Sequence, residues 1–318
     1  MRINLNRRQW IGGTAAIAAS ATIAPNAYSA SDIKKRDKPF RFCLNTSTIR
    51  TPDGKPRALR ESIEIVGKAG YDGIEPWIGE IDDYVSGGGS LEDARKKIQD
   101  QGLTVDSAIG FCKWIVDDDQ ERAAALEQLK KDMEKVRSIG GTRIAAPPVG
   151  ATNNPNMSLV DASRRFHAVV ELGQQMGVKA ELELWGFSKF LHSLGELAYV
   201  AVECGHPDAI VLPDVYHIYK GGSDFAGLKF LNGKSIEVLH MNDYPDITRD
   251  KIQDADRVYP GNGVAPLNRI LDLLVDAGFD GTFSLELFNR DYWKQDPQVV
   301  ANTGLRKMQE CIAAWQST

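Results

Sequence analysis

The chain has 318 residues, 42% hydrophobic and 25% charged, with a net charge of −5 at pH 7. Residues 1–30 carry three arginines and no acid, so the remaining 288 residues carry −8. An acidic chain with no basic cluster is a poor partner for nucleic acid. Its four cysteines, Cys43, Cys112, Cys204 and Cys311, are far apart and form no C-x-x-C, which excludes a zinc finger or a dithiol redox motif.

The first segment reads as an address. Arg7-Arg8 precedes Gln9, Trp10 and a mildly apolar run from Ile11 to Ala24, rich in Ala, Gly and Thr. This pattern predicts a twin-arginine export signal over residues 1–30, with cleavage after Ser29 guided by the small residues Ala27 and Ser29. The run is too short and too weakly apolar for a stable membrane span. The expected destination is the periplasm or the exterior, reached through the twin-arginine translocation machinery. That route carries folded proteins, so free and mostly buried thiols are expected. A Cys43–Cys112 bridge stays open, because both residues fall near strand ends.

From residue 40 onward, extended apolar runs alternate with helical patterns. Strand 40–46 leads to helix 57–69, strand 72–77 to helix 91–101, and strand 103–109 to helix 120–139. Strand 142–146 then precedes helix 158–176, and strand 178–185 precedes helix 191–204. Strand 209–213 is followed by a short helix at 223–231, strand 235–241 by helix 266–277, and strand 281–288 by helix 297–315. Eight strands and eight helices in strict alternation predict an α/β fold, a single-domain (β/α)8 TIM barrel over residues 31–318. No G-x-G-x-x-G follows the first strand, which argues against an open doubly wound sheet.

In such a barrel, functional groups come from the C-terminal strand ends and the loops beyond them. Glu183 closes the fifth strand, Asp214 and His217 follow the sixth as D-x-x-H, His240 ends the seventh, and Glu286 lies late in the eighth. Three carboxylates and an imidazole suit a hard or borderline divalent cation. Glu181 shares a strand face with Glu183 but lies one layer deeper, so its expected role is structural. Glu75, ending the second strand, is expected either to bind substrate or to hydrogen-bond inside the barrel mouth. Trp77, Trp114 and Trp185 suit sugar stacking and core packing equally. Lys113 reads as an ordinary loop lysine, and Asp117-Asp118-Asp119 as a solvated helix start. Residues 242–263 form a 22-residue loop without apolar periodicity, expected to act as a lid or substrate-contacting flap.

The stretches GIEPW (73–77), ELELWG (181–186), LPDVYHIYKGG (212–222), VLHMNDYP (238–245), DADRVYPGNGV (254–264) and SLELF (284–288) make the chain similar to a known family. Over residues 40–315 it resembles the xylose isomerase-like TIM-barrel superfamily, in its sugar phosphate isomerase/epimerase branch. That resemblance implies a divalent metal held by Glu183, Asp214, His240 and Glu286, manganese first, with magnesium, cobalt or zinc as further candidates. It also implies substrate contacts from His217 and from an arginine after the seventh strand, Arg257, with Arg249 as competitor. Abasic-site endonucleases of the same superfamily need histidines after the second and third strands, and no histidine precedes His167.

The implied function is a metal-dependent sugar isomerase or epimerase working by proton transfer through an enediolate, with Glu183 and Glu286 as bases. A lyase acting on a keto-sugar or glycoside through the same enolate stays open, as does a non-catalytic carbohydrate-binding barrel. No glycine-rich phosphate cradle follows strands seven and eight, and export favours a free or glycosidic sugar over a phosphate ester.

Overall fold

The computed structural model describes residues 30–318; the expected export signal lies, apart from Ala30, outside them. Among the described residues there are eight strands: β1 Arg41–Asn45, β2 Gly73–Glu75, β3 Thr104–Val105, β4 Arg143–Ala146, β5 Lys179–Glu183, β6 Ile210–Leu212, β7 Val238–Met241 and β8 Thr282–Leu285. Every ladder between them is parallel. One ladder series runs β3-β2-β1-β8-β7 and the other β4-β5-β6. Two seams join them into a ring. The Ala145 amide donates to the Ala108 carbonyl at 2.8 Å beyond β3. Between β6 and β7, His240 N donates to Pro213 O at 2.9 Å, flanked by bridges Val211–Ile236 and Asp214–His240. The chain is a TIM barrel, as the alternation of strands and helices predicts.

Register decides what faces the axis. In a parallel sheet, paired residues share a face and alternate residues reverse it. Cys43 pairs with Gly73 and Ser284, Asn45 with Glu75, Glu183 with Leu212, and His240 with Ser284. Ile109, Ala145, Leu212 and Val238 form a small buried cluster of their own, separate from the large core between strands and helices. Above that apolar plug the inward positions are Asn45, Glu75, Glu183 and His240, so the barrel changes from apolar to ionisable within one strand repeat.

Some elements differ from the expected pattern. The third strand is only two residues long, because beyond Val105 the chain continues extended without a continuous ladder, regaining a bridge at Trp77–Ile109. An extra helix, Ile78–Ser86, starts directly after β2, and the short helix expected at 223–231 is 3-10 over Phe225–Phe230. A further short helix, Val215–Lys220, begins right after Asp214. All four cysteines are free, so the Cys43–Cys112 bridge is not formed. Among the described residues, no helix is long and apolar enough to cross a membrane.

A hollow of about 680 Å³ opens at the strand N-terminal end, away from the ionisable cluster. Four of its charges pair with one another, Arg41 with Asp106 at 3.2 Å and Arg143 with Glu237 at 2.5 Å. It reads as the barrel floor, where this fold keeps stabilising contacts.

Candidate metal centre and substrate pocket

Asp214 caps the helix Val215–Lys220: its Oδ1 accepts the His217 amide at 2.7 Å, which turns Oδ2 towards the axis. β7 supplies His240, and Glu286 directly follows β8. One donor atom from each of these three lies within 4.8 Å of the other two. His240 Nδ1 is 3.2 Å from Glu286 Oε2 and 3.6 Å from Asp214 Oδ2, yet it makes no well-formed hydrogen bond although fully buried. The other ring nitrogen, Nε2, is 3.1 Å from Glu75 Oε2. A carboxylate behind the imidazole fixes its orientation and raises its basicity, the arrangement usual for metal-bound histidine. A buried nitrogen without a well-formed hydrogen bond, facing two carboxylate oxygens at 3.2 and 3.6 Å, fits a hard or borderline divalent cation.

Glu75, expected either to bind substrate or to hydrogen-bond inside the barrel mouth, is not among the residues that line the pocket. It is fully buried, accepting hydrogen bonds from Asn45 Nδ2 at 2.9 Å and Ser284 Oγ at 2.7 Å. As the last residue of β2 it points at the axis in register with Asn45, below the mouth. The alternative role, a hydrogen bond within the barrel, is the one observed. Glu183 is the fourth expected ligand, and it is not among the gathered donor atoms. It lines the pocket wall instead, 4% exposed.

Arg257 is fully buried and reaches the same oxygens. Its Nη1 donates to Asp214 Oδ2 at 3.0 Å and to Glu286 Oε2 at 2.7 Å; its Nη2 donates to Asp254 Oδ1 at 2.6 Å and meets His217 Nε2 at 3.1 Å. Arg249, its competitor, is exposed and bonded to the Gly222 carbonyl at 3.1 Å, so it takes no part. His217 lines the pocket and accepts the Gly186 amide on Nδ1 at 3.2 Å. A side chain at Gly186 would run into the His217 carbonyl, so the close approach needs glycine there.

The loop 242–263 is fastened rather than loose. Asp243 accepts four backbone amides: Tyr244 at 2.8 Å, Gly261 at 3.0 Å, Gly263 at 2.9 Å and Ala265 at 2.9 Å. Ile252, Arg257 and Tyr259 along it are buried. It contacts the pocket through Asp254 and Arg257.

Burial alone would raise every carboxylate here and lower every imidazole. For Asp214 and Glu286 the nearby cations win. Arg257, His217 and His240 hold Asp214 well below the carboxylate range, and His240 and Arg257 lower Glu286. For Glu183 the balance goes the other way: burial, with Glu286, Asp214 and Glu75 nearby, outweighs His240 and raises it well above its ordinary value. His240 is raised by Glu286, Glu75 and Asp214 against its burial, whereas burial and Arg257 lower His217.

The remaining expectations resolve simply. Glu181 lies deeper, bonded by Ser107 Oγ at 2.5 Å, and burial lifts its pKa to about 8. Trp77 and Trp185 line the pocket, while Trp114 is fully buried and donates to the Pro147 carbonyl at 2.9 Å. Lys113 pairs with Glu121 at 2.7 Å, outside the pocket. Asp118 caps the helix Asp119–Ser138. Sequence reasoning missed Asn45, which bridges Glu75 and Glu286 (3.2 Å), and Asn242, which donates to Asp214 Oδ2 at 3.0 Å. Asn242 was findable: it stands two residues after His240, on the same face by strand alternation.

The family profile described as the xylose isomerase-like TIM barrel matches residues 63–311. The chain belongs to that family. It is 24% identical over 283 residues to an inosose isomerase of Bacillus velezensis, covering 87% of this chain and 98% of that one. It is 21% identical over 255 residues to a 3-dehydroshikimate dehydratase of Pseudomonas putida, covering 79% of this chain and 39% of that one. The crystal structure of the IolI protein with a bound zinc atom superposes with a TM-score of 0.80 at 21% identity, covering 87% of this chain and 99% of that one. Within this xylose isomerase-like barrel, then, a buried donor set stands beneath a pocket at the strand C-terminal end, where the fold carries its chemistry.

Proposed function

We propose that the protein is a divalent-metal-dependent sugar isomerase or epimerase that acts by proton transfer through an enediolate on a free or modified sugar. The observation that carries this reading is the buried His240 Nδ1, without a well-formed hydrogen bond, set between Asp214 Oδ2 and Glu286 Oε2. Asp214, His240 and Glu286 would hold the ion, with Glu183 as the fourth proposed ligand. Manganese is the metal we propose. When bound, it would supply Lewis-acid polarisation of the sugar carbonyl, which acidifies the neighbouring C–H.

The chain's own groups then divide the work. Glu183 lines the pocket wall without a cationic hydrogen-bond partner, so one of its oxygens is available to take the proton from carbon. Glu286 lines the same pocket just past β8 and delivers to the other face a proton it has taken up from solvent, while Glu183 afterwards releases the abstracted proton to solvent. Return to the original carbon inverts it; return to its neighbour isomerises the sugar. His217 and Arg257 orient the substrate oxygens from the side. The dehydratase relative supports a second outcome, in which the same proton abstraction from a keto-sugar or glycoside expels a β-leaving group. The twin arginine at Arg7-Arg8 supports action in the periplasm or outside the cell.

The test is a panel of free sugars, keto-sugars and glycosides incubated with the Mn²⁺-loaded protein in D₂O. Deuterium appearing beside the carbonyl of one member is the expected result. Product formed at full rate without solvent deuterium would replace proton transfer with hydride transfer. No exchange and no product across the panel would leave a binding protein.

A further inference from the structure

The pocket has a charged floor and an aromatic rim. Phe288 and Trp77 stand 6.1 Å apart by ring centroid, Trp77 and Phe111 5.1 Å, Phe111 and Trp185 6.3 Å, and Trp185 and Phe187 5.3 Å. Phe187 then meets His217 at 5.7 Å, and the Arg257 guanidinium lies 5.0 Å from the Phe288 ring. With the Arg257–His217 contact the circle closes. These rings come from beyond the ends of β2, β3, β5 and β8, two to six residues past each strand. The collar is therefore built by the scaffold rather than by one floppy loop.

Two of its members are held in water. Phe111 is 46% exposed and Phe187 47%, with the half-buried Trp185 between them. Exposed neighbouring aromatics at a pocket mouth mark a surface that a ligand covers. The lip they form is apolar, while Glu183, Glu286, His217 and Arg257 lie below. The ligand that matches this gradient is amphipathic, with its oxygens at one end and its hydrocarbon at the other.

Charge narrows the class. Glu183, Asp254 and Glu286 line the pocket against one guanidinium, whose donors already serve Asp214, Glu286 and Asp254. Arg50 stacks on Trp77 at 4.3 Å without lining the pocket, and Lys113 is held by Glu121. Apart from the proposed metal ion, no side chain lining the pocket offers an uncommitted positive charge to a phosphate or a carboxylate. The cavity measures about 200 Å³, below the usual range for enclosing a whole drug-sized ligand. It takes one sugar ring, and any substituent must emerge past Phe111 and Phe187.

We infer that the substrate is a neutral glycoside that carries a ketone on its sugar ring, the ring entering the charged floor and the apolar aglycone lying on the Phe111–Trp185–Phe187 lip. This rests on the proposed sugar site but names a recognition element that turnover does not need. The test is calorimetric titration of the Mn²⁺-loaded protein with methyl β-D-glucopyranoside, phenyl β-D-glucopyranoside and glucose 6-phosphate. The phenyl glycoside is expected to bind about tenfold more tightly than the methyl glycoside, the amount one good aromatic contact supplies. The phosphate ester is expected to bind more weakly than either. A Phe111→Ala/Phe187→Ala variant should lose most of the phenyl advantage and keep methyl glycoside affinity within about twofold. Phe187→Leu, which keeps apolar bulk without the ring, guards against a folding artefact and should fall between the two. Equal affinity for the phenyl and methyl glycosides, a preference for the phosphate, or a phenyl advantage that survives the double substitution would each overturn the inference. Deuterium exchange, read on the carbonyl-bearing sugars of the panel and not on these glucosides, separates it from the reaction: a phenyl preference without exchange anywhere in that panel removes the isomerase and leaves the lip. Exchange without a phenyl preference removes the lip alone.

Discussion

The imidazole of His240 stands on the carboxylate of Glu75, Nε2 to Oε2 at 3.1 Å, and both side chains are fully buried. That contact settles which nitrogen faces the carboxylates above. Nε2 is committed to Glu75, so Nδ1 is the atom presented to Asp214 and Glu286.

Removing the support without touching a proposed ligand tests its value. Glu75→Ala is expected to weaken Mn²⁺ binding by about 10- to 100-fold, the usual effect of losing a carboxylate behind a ligating histidine. Calorimetric metal titration gives the number. Wild-type affinity in the variant would mean that His240 is oriented by packing alone.

Arg257 tests the electrostatics. It is the buried cation between Asp214 and Glu286, and breaking such a group by removing one partner costs about 3–5 kcal/mol. Arg257→Ala is expected to lower the stability of the EDTA-treated protein by that order, read from urea unfolding. Added Mn²⁺ should recover a large part, because a cation returns to the same carboxylates. A loss that metal does not reduce would place the defect in the 242–263 loop rather than in the charge balance.

The two site histidines should separate cleanly. His217 is held by Gly186 and Arg257 and is not among the gathered donor atoms, whereas His240 is. His217→Gln is expected to leave Mn²⁺ affinity within about threefold while raising KM for the sugar, as loss of a substrate contact does. His240→Gln should lose metal outright. Equal metal loss in both variants would reverse the assignment.

Away from the site, Glu80 carries a pH signature. It is buried with Oε1 unpartnered, and burial raises its pKa from 4.5 to about 7 against hydrogen bonds from Thr46 and Trp77. The folded protein keeps a proton that the unfolded chain has already released. Stability therefore falls as pH rises from about 4.5 through 7, by an amount on the order of 3 kcal/mol. Glu80→Gln should flatten this window and be the more stable form at pH 8. Parallel unfolding profiles for the two proteins would remove Glu80 as the cause.

Much of this was legible beforehand, for a physical reason. The barrel follows from alternating apolar runs and helical patterns, and charged residues at strand ends are costly unless they meet. Asp214, His240 and Glu286 stand out by that logic, and they do meet. Depth was harder to read. Whether Glu75 lies at the mouth or beneath His240 depends on stagger between strands, which residue spacing does not encode. Glu183 was expected among the ligands, but its side-chain direction is a rotamer choice, not a strand property. Asn45 and Ser284 carry no signal of their own, since uncharged polar residues at strand ends are ordinary.

Asp243 bears on how the site is used. By gathering four backbone amides it makes the segment that carries Arg257 part of the scaffold. The ordering cost of that segment is met once, at folding, and not again with each substrate molecule. The guanidinium is in position before a sugar arrives. Traffic in and out then runs through the aromatic opening, past rings that need only rotate, while the backbone around the centre stays still.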